Sequence, residues 1–84
     1  MLKIEKISDL DGVRLYVLTA TEGDIVVGNV FRAFREGEEV GKATTSGVLV
    51  DGKLLDHARR GQSCELLLRG GKFEVGDLLQ AEDQ

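Results

Sequence analysis

The sequence predicts an all-β fold: one small, closed, antiparallel β-barrel of six or seven strands. Three observations predict it. Apolar, β-branched runs recur at intervals of about 8–12 residues with glycine-bearing turns between them, the spacing of barrels and sandwiches. No segment carries the sustained 3.6-residue periodicity of a long helix. Finally, a chain of 84 residues supplies one core, so a domain with this many strands must hide its edges, and closure does that.

The elements follow in order. "LKIEKI" (residues 2–7) alternates Leu2 and Ile4 with Lys3 and Glu5 and reads as a half-buried strand. "SDLDG" is turn chemistry, with Ser and Asp bonding the local backbone and Gly12 tolerating positive φ. "VRLYVLTA" (residues 13–20) is the next strand. Its "RLYVL" is apolar on both faces, and the expected cover for the second face is the N-terminal strand rather than a second copy of the chain. "TEGD" turns again, and "IVVGNVFRAF" is a strand whose interior Gly28 marks a bulge or a barrel bend.

"REGEEV" turns into a short strand over residues 38–42, and "TSGVLV" is a strand ending at Asp51-Gly52, the strongest local hairpin signal in the chain. "LLDHARR" reads as a helical turn or an irregular corner. "SCELLLR" and "DLLQAE" are the closing strands. The leucines of "LLL" cannot all point into one core, so that strand is covered on both sides or meets a partner. The paired glycines of "RGG" then break the ladder, and Gly76-Asp77 opens the return strand. The expected core holds Val30, Val48, Val50, Leu66, Leu68 and Leu79.

Composition narrows the function. A net charge of −4 counts against broad electrostatic binding to nucleic acid, while leaving room for a local basic patch. No apolar run approaches the roughly 18 residues of a membrane span. The first residues lack the apolar core of a signal peptide, and one Cys cannot form an internal disulfide, so a reducing cytoplasm is expected. The single His and single Cys, His57 and Cys64, could pair as base and nucleophile. The plainer reading is a surface His and a small apolar Cys within a strand. Metal ligands are too few for zinc, and "DLDG" and "EGEE" lack calcium-loop spacing and read as solvated turns. There is no "GxxxxGK[ST]" phosphate loop. The expectation is a non-catalytic protein with no cofactor, metal or nucleotide.

Several ordered blocks resemble a known family. "GNVFRAFREGEEV" is similar to a "G-x-V-x-x-G-x-(I)-x-x-G-x-x-V" pattern, with Gly28, Val30, Gly37 and Val40 on its fixed points. "TSGVLVDGKLLDHARRGQSCELLLRG" is similar to a strand, a Lys-x-Leu corner, Ala-x-x-Gly and an apolar strand closed by Leu-Arg-Gly. Lys53, Leu55, Ala58, Gly61, Leu68, Arg69 and Gly70 take those places. "GKFEVGDLL" is similar to a closing "G-x-x-x-x-G-D/Q-V/L-L". Together these resemble the second, β-barrel domain of the translational GTPases, elongation factor Tu most closely.

The resemblance covers residues 13–81 and leaves residues 1–10 as an added N-terminal strand on a single domain, residues 1–84. It implies that the "LLLRG" and "GDLL" strands are neighbours joined by "GGKFEVG". It also implies that Asp51-Gly52 enters a corner instead of a tight hairpin. The family's aminoacyl-tRNA contact positions read Arg14, Leu15, Val17, Thr21 and Ser63 here, which implies that the barrel is kept and that pocket is not.

The expected role is therefore a binding module that contacts RNA, a ribosomal or translation-factor surface. The alternative is a protein-interaction or assembly module with no RNA role. Candidate contacts are Arg59 and Arg60 at the corner and Arg69 and Lys72 at the last turn, where side chains project from the rim. Arg32 and Arg35, interleaved with Phe31 and Phe34, form a second basic group, diluted by Glu36, Glu38, Glu39 and Glu74.

Overall fold

Ten strands and no helix make up the described residues, 1–19 and 21–82, of this computed structural model. They are β1 (Leu2–Lys3), β2 (Lys6–Leu10), β3 (Val13–Leu18), β4 (Ile25–Val26), β5 (Val30–Arg35), β6 (Glu38–Val50), β7 (Lys53–Leu55), β8 (His57–Ala58), β9 (Cys64–Arg69) and β10 (Leu78–Ala81). Two-residue turns set three hairpins: Asp11-Gly12, Glu36-Gly37 and Asp51-Gly52 all have φ between 50° and 83°. Positive φ at both central residues is the type I′ turn, whose twist matches that of paired strands. The residues flanking each turn face one another, Leu10 with Val13, Arg35 with Glu38 and Val50 with Lys53.

Several strand limits differ from expectation. The first strand breaks after Lys3, and Ser8 to Leu10 belong to β2 and not to the turn. The two strands expected between residues 38 and 50 are one strand of 13 residues. The strand across Gly28 is two, because Gly28 has φ 101° and its N–H donates to Thr45 O at 2.8 Å, bending the chain between β4 and β5. "LLDHARR" is an extended corner running from β7 into β8. Asp51-Gly52 is a hairpin after all, so here the local turn chemistry outweighs the resemblance.

The main sheet is antiparallel throughout, in the order β1-β10-β5-β6-β9-β3-β2, with β7 also on β6. Register shifts between Ala33 and Phe34 on β5 and between Thr45 and Gly47 on β6 mark bulges. Bulges sharpen local twist and bend, and the sheet curls into a half-barrel. β4 and β8 form a separate two-stranded piece. The opening segment reaches both edges of the sheet: Ile4 N–H donates to Asp77 O beside β10, and Glu5 N–H donates to Val17 O on β3, each at 2.9 Å.

The "LLLRG" and "GDLL" strands are not neighbours. The backbone of β9 is taken on one side by β3 and on the other by β6, so β10 finds its partners on β5 and β1. The connection between them, residues 70–77, instead passes over β6 and inserts Phe73 into the core, where it is 2% exposed. Glycine permits this. Gly70 has φ 113°, and a Cβ there would lie 3.3 Å from Lys42 O. A Cβ on Gly71 would lie 2.8 Å from the Phe73 ring. The Phe73 N–H donates to the buried Tyr16 hydroxyl at 3.1 Å, and the two rings meet at 5.7 Å, tilted by 58°.

Asp77 latches the far end of the same connection. It is 1% exposed, and Arg35 Nε and Nη2 each donate to one of its carboxylate oxygens at 2.8 Å. The Glu74 N–H donates to it at 2.9 Å. These bonds, the Arg35 guanidinium first, hold the Asp77 carboxyl below its usual range against the opposing effect of burial. The core beneath includes Ile4, Tyr16, Leu18, Phe31, Val48, Leu66 and Leu79. Of the residues expected there, Val48, Val50, Leu66 and Leu79 are buried, whereas Val30 and Leu68 are only half-buried.

Candidate functional site

The four candidate cations do not form one patch. Arg59 and Arg60 occupy the tight turn between β8 and β9. The Arg59 N–H donates to Gln62 Oε1 at 2.7 Å, and the Arg60 N–H donates to Asp24 Oδ1 at 2.9 Å. Thr21 ties this turn to the end of β3, with its hydroxyl donating to Arg59 O at 3.0 Å. Arg69 closes β9 and Lys72 follows it, at the other end of the strand. At about 3.3 Å per residue, β9 separates the pairs by roughly 17 Å.

A cation that sequence reasoning did not select joins the second pair. Arg14 on β3 lines the same hollow as Lys72, Gly71, Tyr16 and Leu68. Among the described residues, Arg14, Arg69 and Lys72 form no ion pair, although Asp9 lies opposite Arg14 in the strand register. The antiparallel pairing of β3 with β9 brings them to one end, and no local pattern announces that pairing.

The aromatic-flanked arginines are engaged internally. Arg32 pairs with Glu39 and lies 5.6 Å over the Phe34 ring, Arg35 is held by Asp77 and Glu74, and Phe31 is in the core. Cys64 is 3% exposed, and burial pushes its thiol up to about 11, so it is protonated at neutral pH. His57 is exposed, with Nδ1 2.7 Å from Asp56 Oδ1. No hydrogen bond links His57 to Cys64 among the described residues.

The larger feature lies on the outer face of the sheet. Side chains alternate across a strand, so Leu66 points into the core while its neighbour Leu67 points out. Leu10 of β2, Val13 and Leu15 of β3, Leu67 of β9, Leu49 of β6 and Leu54 of β7 line one open groove of about 390 Å³. Leu54 is 69% exposed and Leu10 54%. Gly47 keeps the floor low, since a Cβ there would lie 2.7 Å from Leu67 Cδ1 and 3.4 Å from Leu54 Cδ1. The N-terminal strand, expected to cover this face, instead pairs edge to edge with β3 and adds Leu10 to the groove. The apolar "LLL" run announced a second face, but only the order of strands shows that five of them share it.

Among the described residues, Asp11 is the one charged residue lining this groove; the hollow that adjoins it at Leu49 and Gly52 adds Asp51 and Glu65, and the hollow that adjoins it at Val13 and Leu67 adds Asp9, Arg14 and Lys72. Ser8 Oγ donates to Glu65 Oε2 at 3.2 Å. Two of the positions that correspond to aminoacyl-tRNA contacts in the resembled family are occupied internally here, Leu15 under the groove and Thr21 in the turn network. No protein-family model matches the chain, and no curated protein does. No helix among the described residues is long and apolar enough to cross a membrane.

Proposed function

We propose that this chain is a non-catalytic protein-interaction module that binds its partner on the outer face of β2, β3, β9, β6 and β7. In this reading the opening segment closes the half-barrel, giving a small barrel of the kind found as the second domain of translational GTPases. One observation carries the proposal: a single apolar strip crosses five strands on the solvent side. Contiguous exposed apolar surface of this kind marks interaction sites. The net charge of −4 and the separation of Arg59 and Arg60 from Arg69 and Lys72 both weigh against RNA as the main ligand.

A second reading keeps RNA, a ribosomal surface included, and rests on Arg14 and Lys72 lining one hollow, with Arg69 at the same end of β9, all three without ion-pair partners among the described residues. A photoreactive side chain placed at position 54, at position 72 or, as a control, at the exposed Val75 separates the two. The protein reading expects protein adducts at position 54 that vanish with Leu67→Ser, and none at positions 72 and 75. RNA adducts at position 72 with nothing at position 54 would replace it with the RNA reading.

A further inference from the structure

The groove also indicates what lies in it. We infer that its occupant is a short amphipathic helix of a partner protein, apolar on one side and flanked by Lys or Arg; this rests on the protein-interaction reading above. Three arguments lead there.

The first is size. Five strands spaced about 4.8 Å apart give a strip roughly 19 Å long, and two outward residues on a strand give it a width of about 7 Å. That is on the order of 130 Å², well short of the roughly 800 Å² per partner of a standard interface. A second globular copy of this chain would leave most of its contact polar, whereas a single segment is matched to the strip.

The second is direction. The strip runs across the strands, from Leu54 on β7 to Leu10 on β2. A peptide lying across a sheet face finds no backbone partners in it, because those of the sheet point sideways to neighbouring strands. The N–H and C=O groups such a peptide turns to the apolar floor have neither water nor sheet to bond, and a helix satisfies them internally. At 1.5 Å per residue, about 13 residues span the strip.

The third is charge. Asp11 is the charged residue lining the groove itself, and its continuation past β6 adds Asp51 and Glu65, while the hollow on its β3–β9 side holds Asp9 with Arg14 and Lys72. On the side of Asp11, Asp51 and Glu65, an apolar floor with acidic neighbours selects cations flanking an apolar stripe.

The test uses the full chain and two labelled synthetic peptides of about 14 residues. One has Leu at helical spacing with Lys elsewhere; the other has the same Leu positions with Glu in place of Lys. Fluorescence anisotropy is expected to show binding of the Leu/Lys peptide only. Leu54→Ser is expected to weaken it about tenfold, or 1.4 kcal/mol, and its exposure makes the variant safe for folding. The double variant Asp11→Asn, Asp51→Asn keeps residues suited to positive φ while removing two rim charges. It is expected to weaken binding several-fold at low salt and to match the wild type at high salt, where screening is short-ranged.

Equal binding of the Leu/Glu peptide overturns the charge argument and with it the proposal. A Leu54-dependent dimer in sedimentation overturns it in favour of a second copy. If neither peptide binds while position 54 still yields protein adducts, the helix is wrong and the interaction reading stands. If position 54 yields none either, both fall.

Discussion

Leu66 and Leu67 are adjacent on β9 and meet opposite environments. Leu66 is 0% exposed among Tyr16, Val48 and the rest of the core, whereas Leu67 lies in the open groove on the outer face. Chemically the two are the same residue. A strand of period two sends them to opposite sides, and only the inner side is closed, by Phe73 and the connection that carries it. Apolar character on the inner face builds the fold; on the outer face it remains available for binding.

The comparison breaks most readily at Phe73. Phe73→Ala removes the side chain that fills the end of the inner face and leaves Gly41 and Gly71 facing a void. Loss of about 3–5 kcal/mol is expected in urea denaturation, enough to unfold a marginal domain of this size. A loss below about 1 kcal/mol would show that the connection does not seal the core.

Leu66→Ala and Leu67→Ala sharpen the comparison directly. The inner change is expected to cost about 2–5 kcal/mol, while the outer one costs under about 1 kcal/mol because Leu67 begins half-solvated. Similar losses for both would mean that the outer groove is packed like a core.

A smaller effect is expected at the latch. Asp77→Asn removes the charge that Arg35 grips and is expected to cost about 2 kcal/mol at neutral pH. The folded-state carboxyl is held low by Arg35. Its contribution is therefore complete above the unfolded value near 3.9 and disappears as pH falls through the lower folded value. The wild type should thus lose stability on acidification below about pH 4, and the Asn variant should show a flatter acid limb. Identical limbs would remove Asp77 from the account of acid stability.

Local chemistry made much of the fold legible. The Asp11-Gly12 and Asp51-Gly52 hairpins, the Gly28 bend and the β9 and β10 runs are encoded within a few residues of themselves, by positive-φ turn formers and alternating apolar side chains. Limits were misplaced where two weak signals merged, as along β6, whose bulges at Val40 and Ser46 absorb the breaks in pattern. The binding surface was harder to read. The candidate cations stand at corners, and corners at both ends of β9 look alike in a sequence.

By itself, then, the order of residues determined an all-β chain, its tight hairpins and the apolar character of both faces of β9. Those properties depend on φ preferences and on a period of two, and neither needs a distant partner. The tertiary structure decided that β9 and β10 are kept apart and that residues 2–10 reach both sheet edges. It also decided that Phe73 closes the core and that Arg35 holds Asp77 across 42 positions of chain. It set which apolar residues lie on the open side as well. Each of these depends on which backbone edges remain unpaired once the hairpins have formed, and that competition is settled only when the whole sheet is assembled.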